Sequence, residues 1–104
     1  MKNLIFLIAS IGVFGFPSCK DNDSEFQAHD ENEMMGLMHD MMAVMDNMTP
    51  TNDPDQDWAM MMRAHHQGAI SMANLELQKG DDAALRDMAT EMINKQQAEI
   101  ATLT

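Results

Sequence analysis

The sequence predicts an all-α domain of three helices. Three observations carry that prediction. Apolar residues recur at three- and four-residue spacing across 33–48, 55–79 and 82–103. Apart from Gly36 and Gly68, every Gly and Pro beyond residue 20 lies in the joints between those stretches. Nowhere do apolar and polar residues alternate with the period of two that a half-buried strand needs.

The first helix carries a near-identical seven-residue repeat, Met34-Met35-Gly36-Leu37-Met38-His39-Asp40 followed by Met41-Met42-Ala43-Val44-Met45-Asp46-Asn47. At about 100° per residue, Met34, Leu37, Met38, Met41, Val44, Met45 and Met48 share one broad apolar face. Met35, His39 and Met42 run along its border. Thr49-Pro50 through Asp53-Pro54 break the chain, because Pro disfavours helix in the residue before it. A second helix is expected to start near Asp55 or Asp57, whose charge suits a helix N-terminus, and to end at Lys79 before Gly80. Its expected inner face holds Trp58, Met61, Met62, His65, Ala69, Met72, Ala73 and Glu76, with His65 pointing inward and His66 toward the edge. Glu76 on that face needs a cation, for which Arg86 or Lys95 is the candidate. Asp81 or Asp82 suits the N-cap of a third helix, whose stripe Leu85, Met88, Ala89, Met92, Ile93, Ile100 and Leu103 is interrupted by Gln96. The short Gly80-Asp81-Asp82 joint makes helices two and three an antiparallel hairpin.

Residues before this Met-rich domain (34–104) read as targeting and tether. Lys2 precedes an apolar run from Leu4 to Phe16, which at about 1.5 Å per residue falls short of a hydrocarbon core of roughly 30 Å. Residues 1–18 therefore read as a secretory signal. Phe16-Pro17-Ser18-Cys19 resembles a bacterial lipobox, with Pro17 a departure from the usual small or aliphatic residue, and implies that Cys19 is lipidated. The alternative is an ordinary signal peptide followed by an incidental Cys. Residues 19–33 are polar and acidic and read as a flexible tether, with His29 solvated in it. The expected location is the cell envelope: secretion across the inner membrane, then a periplasmic or outer-membrane lipoprotein touching membrane through its lipid alone.

Composition narrows the chemistry. The 104 residues hold 17 acidic against 6 basic side chains, for a formal net charge of -11, with one Cys and 14 Met. Such a surface disfavours nucleic acid, whose phosphates need clustered Lys and Arg. Cations or basic partners suit it better. One Cys excludes an intrachain disulfide and a Cys-based zinc finger. No Gly-rich phosphate loop, no His-Glu-x-x-His pair and no nucleophile beside a base is present, so an enzyme is not expected.

Methionine is the outlier. Its thioether prefers Cu(I), while imidazole suits Cu(II) and Zn(II). Outside the cytoplasm a free thiol tends to oxidise, leaving these two as the practical soft ligands. Both occur together here: Met61 and Met62 lie one turn from His65, Met62 also one turn from His66, and Met35 and Met42 flank His39. Met is also a flexible core filler. Packing is favoured for Met88 and Met92, whereas Met34, Met38, Met45 and Met48 fit either role.

The block Met61-Met62-Arg63-Ala64-His65-His66-Gln67-Gly68-Ala69-Ile70-Ser71-Met72-Ala73, followed by Glu76-Leu77, Gly80, Leu85-Arg86, Ala89, Ile93, Gln96 and Glu99-Ile100, resembles the family catalogued as domain of unknown function 305. The likeness spans about Asp57 to Ile100. It implies a secreted, ferritin-like helical bundle and copper ligation by Met and His, as in the family's CopM proteins, with His65, His66, Met62 and Met72 carried over from the matching block. The family pattern usually runs on past Glu99-Ile100 into further helix, so a second copy of the chain is one way to complete a compact bundle. A di-iron centre is not implied, since such bundles use Glu-x-x-His pairs and no His here has Glu three residues before it.

The leading expectation is an envelope protein that sequesters or relays copper, Cu(I) and also Cu(II), in copper tolerance or homeostasis. Its candidate ligands are His65, His66, Met62, Met61, Met72, His39, Met35 and Met42. The alternative is a metal-independent module in which the Met face grips a partner helix or a second subunit. Sacrificial oxidation of exposed Met is a weaker third.

Overall fold

A computed structural model describes residues 28–103. The expected signal segment, Cys19 and most of the expected tether lie outside the described residues. A 3-10 turn at His29–Glu31 precedes three helices, α1 (Glu33–Asp46), α2 (Pro54–Lys79) and α3 (Ala83–Thr102), and the described residues contain no strand. None of these helices is long and apolar enough to cross a membrane.

Each helix starts on a side-chain cap. Asn32 accepts from the Met35 N–H at 3.2 Å, Asp53 from the Asp55 N–H at 3.0 Å, and Asp82 from the Leu85 N–H at 3.0 Å. These bonds satisfy backbone donors that have no partner inside the helix. α2 thus begins one residue before the expected Asp55. Pro54 is its first helical residue, a position where the missing N–H costs nothing. In the α1–α2 connection Asn52 takes a positive φ of 66°, and Asp57 accepts bonds from both the N–H and the hydroxyl of Thr51, each at 2.7 Å. The backbone bond, then the hydroxyl bond, holds the Asp57 carboxyl below its ordinary value of 3.8.

α2 and α3 form the expected antiparallel hairpin, and α1 packs on α2 from another side. Among the described residues α1 and α3 do not approach each other, so α2 is the central helix of an open arrangement. Two devices fix α1. The Lys79 ammonium pairs with the Glu33 carboxylate, and Met41 lies so close over Gly68 that a side chain at position 68 would overlap it. Arg86 closes the hairpin: its guanidinium donates to the Leu77 and Gly80 carbonyls, at 2.6 and 3.1 Å.

The core is small. Ala69, Ile70 and Ala73 of α2 and Ala89 of α3 are its buried apolar residues. Short side chains let α2 and α3 approach closely.

Three expectations need correction. A single inner face on α2 is wrong because a central helix buries two sides; Trp58, at 60% exposure, and Met61, at 47%, remain open. The α3 seam is rotated from the expected stripe. Arg86, Ala89, Ile93, Gln96, Ile100 and Leu103 follow the seam, with Glu99 half-buried beside it, while Leu85, Met88 and Met92 are exposed. Gln96 therefore belongs to the seam, in steps alternating between three and four residues. Glu76 pairs with neither Arg86, which is committed to carbonyls, nor Lys95; its carboxylate lies over Gly80.

Candidate metal centre

The hairpin sets the geometry of the family-like block. With Arg86 locking the turn and Ala73 and Ala89 holding the helices close, residues further along meet in antiparallel register. His66 Nε2 stands 2.7 Å from Glu99 Oε2. The imidazole side chain is only 14% exposed and the carboxylate 44%. A neutral His66 donating its Nε2–H to this carboxylate leaves the Nδ1 lone pair bare. Among the described residues Nδ1 has no hydrogen-bond partner and is buried, and the same holds for Gln96 Oε1. Two unpaired acceptors in one seam are costly.

His65 takes the opposite position. The sequence placed it inside and His66 at the edge; His65 is exposed and His66 is covered. Adjacent helical residues project about 100° apart, and α3 docks on the side that carries His66. The two rings accordingly sit 6.1 Å apart at 65°. Met62, one turn before His66, is half-buried, as is Met72, whereas Met61 is open.

The α1 candidates form a separate group. His39 and Met42 are exposed and Met35 is half-buried. His39 faces His29, with ring centroids 5.1 Å apart at 41°. His29 also lies 3.4 Å from the Asp30 carboxylate. His29 is exposed, as the sequence reading expected, and the 3-10 turn brings its ring back to α1.

Three polar residues escaped the sequence reading as site members: Glu99, Gln96 and His29. For Gln96 a signal existed, a polar residue in an apolar stripe. Glu99 had only its place in the family-like block. His29 had none, because its partner depends on the turn before α1.

Among the described residues no group of three or more His, Cys, Asp and Glu is placed to hold a metal ion. A metal here needs donors beyond these four residue types beside the imidazole, and a thioether is the neighbouring donor that suits a soft cation.

An antiparallel helical hairpin with a histidine-carboxylate pair in its seam and a third, Met-rich helix on its back defines a small helical protein with soft donor atoms. The profile of the family described as Domain of unknown function (DUF305) matches residues 13–104, and the chain belongs to that family. The match takes in α1 as well as the block around His65 and His66. Comparison with curated proteins and with solved structures returned no match.

Proposed function

We propose that this protein binds copper as cargo at the cell envelope, sequestering or relaying it through imidazole and thioether ligands without catalysing a reaction. The observation that carries the reading is His66. Its Nε2 is committed to Glu99, while its buried Nδ1 has no partner among the described residues. A carboxylate on the far nitrogen is the arrangement that orients a metal-binding histidine and raises its basicity. Met62 lies one turn away on the same helix, and Gln96 brings a second unpaired acceptor into the seam. Thioether beside imidazole favours Cu(I) while leaving Cu(II) accessible. Envelope location rests on the apolar segment and on Cys19 as the lipidated residue.

Anaerobic titration with Cu(I) against a competing chelator tests this, with Zn(II) as the control ion. His66→Gln is expected to abolish one equivalent of uptake. Glu99→Gln keeps size and shape, and is expected to weaken that equivalent by about 10–100-fold, the usual cost of losing an outer-shell partner. If both variants bind as the unaltered protein does, the seam is not the site.

A second reading, a metal-independent interaction or oligomerisation module, is favoured by the exposed Leu85, Met88 and Met92, which project from one side of α3. Replacing Leu85, Met88 and Met92 by Ser separates the two: an interface built on this apolar face is lost, whereas copper uptake at His66 and Met62 is unchanged.

A further inference from the structure

A different methionine cluster lies at the α1–α2 connection. α1 ends at Asp46, where the Asn47 side chain and backbone both bond the Ala43 carbonyl, and Met48 follows outside the helix. Antiparallel packing brings Met45, from the last turn of α1, and Met48 opposite Met60 and Met61, from the second turn of α2. Together with Thr49, Pro50 and Asp57, this group lines a cleft of about 250 Å³. Met41 over Gly68 and Glu33 on Lys79 hold the helices in register further along, so the cleft does not depend on its own contacts to exist.

We infer that this cleft is a binding site for one soft monovalent cation, Cu(I) or Ag(I), held by the thioether sulfurs of Met45, Met48, Met60 and Met61. The inference deepens the copper reading and rests on it for the ion handled in the cell, but it uses none of the residues of the His66 seam.

Four methionines, from the end of α1, the connection after it and α2, line a space that none of them fills. Methionines serving only as core filler would close it, because the unbranched side chain adapts to irregular gaps. Met61 is open to solvent and the other three are half-buried, so an ion has a way in. The same three rotatable bonds let the sulfurs close on an ion at little strain. Neutral, soft donors of this kind select Cu(I)-like ions over Zn(II), Mg(II) or Ca(II). Thioethers bring no charge to offset the ion's own, and Asp57, which also lines the cleft, carries one. Its two hydrogen bonds from Thr51 fix it there in its anionic form.

The test uses the full chain in detergent, with methionine methyl groups labelled with carbon-13, titrated with Ag(I) as the probe. One equivalent is expected to shift the methyl resonances of Met45, Met48, Met60 and Met61 together. Met45→Leu/Met48→Leu is expected to lose one equivalent of Ag(I), while His66→Gln retains it. Met48→Leu alone lies outside any helix, leaves helical content unchanged, and is expected to weaken that equivalent at least about tenfold, the factor that corresponds to 1.4 kcal/mol. Wild-type stoichiometry and affinity in the double variant, or shifts confined to other methionines, would overturn this site and leave the His66 reading standing. Failure of the unaltered protein to take up any Ag(I) or Cu(I) would overturn both.

Discussion

The two sides of α2 are built on different principles. Toward α3 it presents Ala69, Ile70 and Ala73, and the seam closes on small buried residues with the His66–Glu99 pair further along. Toward α1 it presents Gly68 under Met41, and the seam then opens into a methionine-lined cleft. Small branched and short side chains have few conformations, so the first seam fixes geometry. Long thioethers have many, and the second seam can adapt. A polar pair needing accurate placement sits in the fixed seam, and the deformable donors sit in the soft one.

The strongest way to break this contrast is Ile70→Ala. Ile70 is only 6% exposed and is the largest residue of a very small core. Its truncation is expected to cost about 2–4 kcal/mol, read as a lower denaturant midpoint with unchanged slope. A loss below about 1 kcal/mol would mean that the α2–α3 seam does not carry the fold. Gly68→Ala probes the other side. The new methyl group overlaps Met41 down to its Cβ, so α1 must shift rather than merely swing a side-chain end. Destabilisation of about 1–3 kcal/mol is expected, despite the better helix propensity of Ala. A gain in stability would show that α1 is free to move on α2.

Thr51→Val sharpens the comparison most gently. Asp57 has a depressed pKa in the folded chain, so its contribution is present above the ordinary Asp value of 3.8 and is lost as pH falls through the lower folded value. Removing the Thr51 hydroxyl, the second of the lowering causes, should lower stability slightly at pH 7 and narrow the acid window over which the contribution is lost. Acid titration followed by helical ellipticity reads this; identical acid limbs in the two proteins would count against the assignment.

How much was legible in the sequence depended on how many neighbours each helix has. For α1, with α2 as its neighbour, a single-stripe reading placed Leu37, Met38, Met41 and Met45 on the covered side, although Val44 is exposed. α2 sits between two helices, so a single-stripe reading selected Trp58, Met61 and His65, which remain open. On α3 the reading took Leu85, Met88 and Met92 as core because they are apolar, set Gln96 aside as an interruption, and gave Arg86 to Glu76 and not to the carbonyls it serves. Arg86 is covered because its donors serve the carbonyls of the α2 end, and Gln96 because it follows the spacing of Ala89, Ile93 and Ile100. The caps were easier, Asp82 being an Asp at the right offset. Pro54 misled because it was read as a breaker and not as a helix start.

For the candidate site, His66 and Met62 were legible as imidazole and thioether donors one turn apart. The grouping across helices was not. Which of two adjacent histidines turns inward depends on where α3 docks, and the convergence of Met45 and Met48 on Met60 depends on the register of α1 against α2. Neither is encoded in local spacing.

The central claim is that imidazole and thioether together hold copper in this protein. Copper K-edge X-ray absorption on the full chain, loaded anaerobically with Cu(I) and freed of excess ion by a competing chelator, tests it most directly. The account predicts retained copper with both sulfur and nitrogen scatterers in the first coordination sphere. Copper lost to the chelator, or retained with no sulfur scatterer, would contradict it.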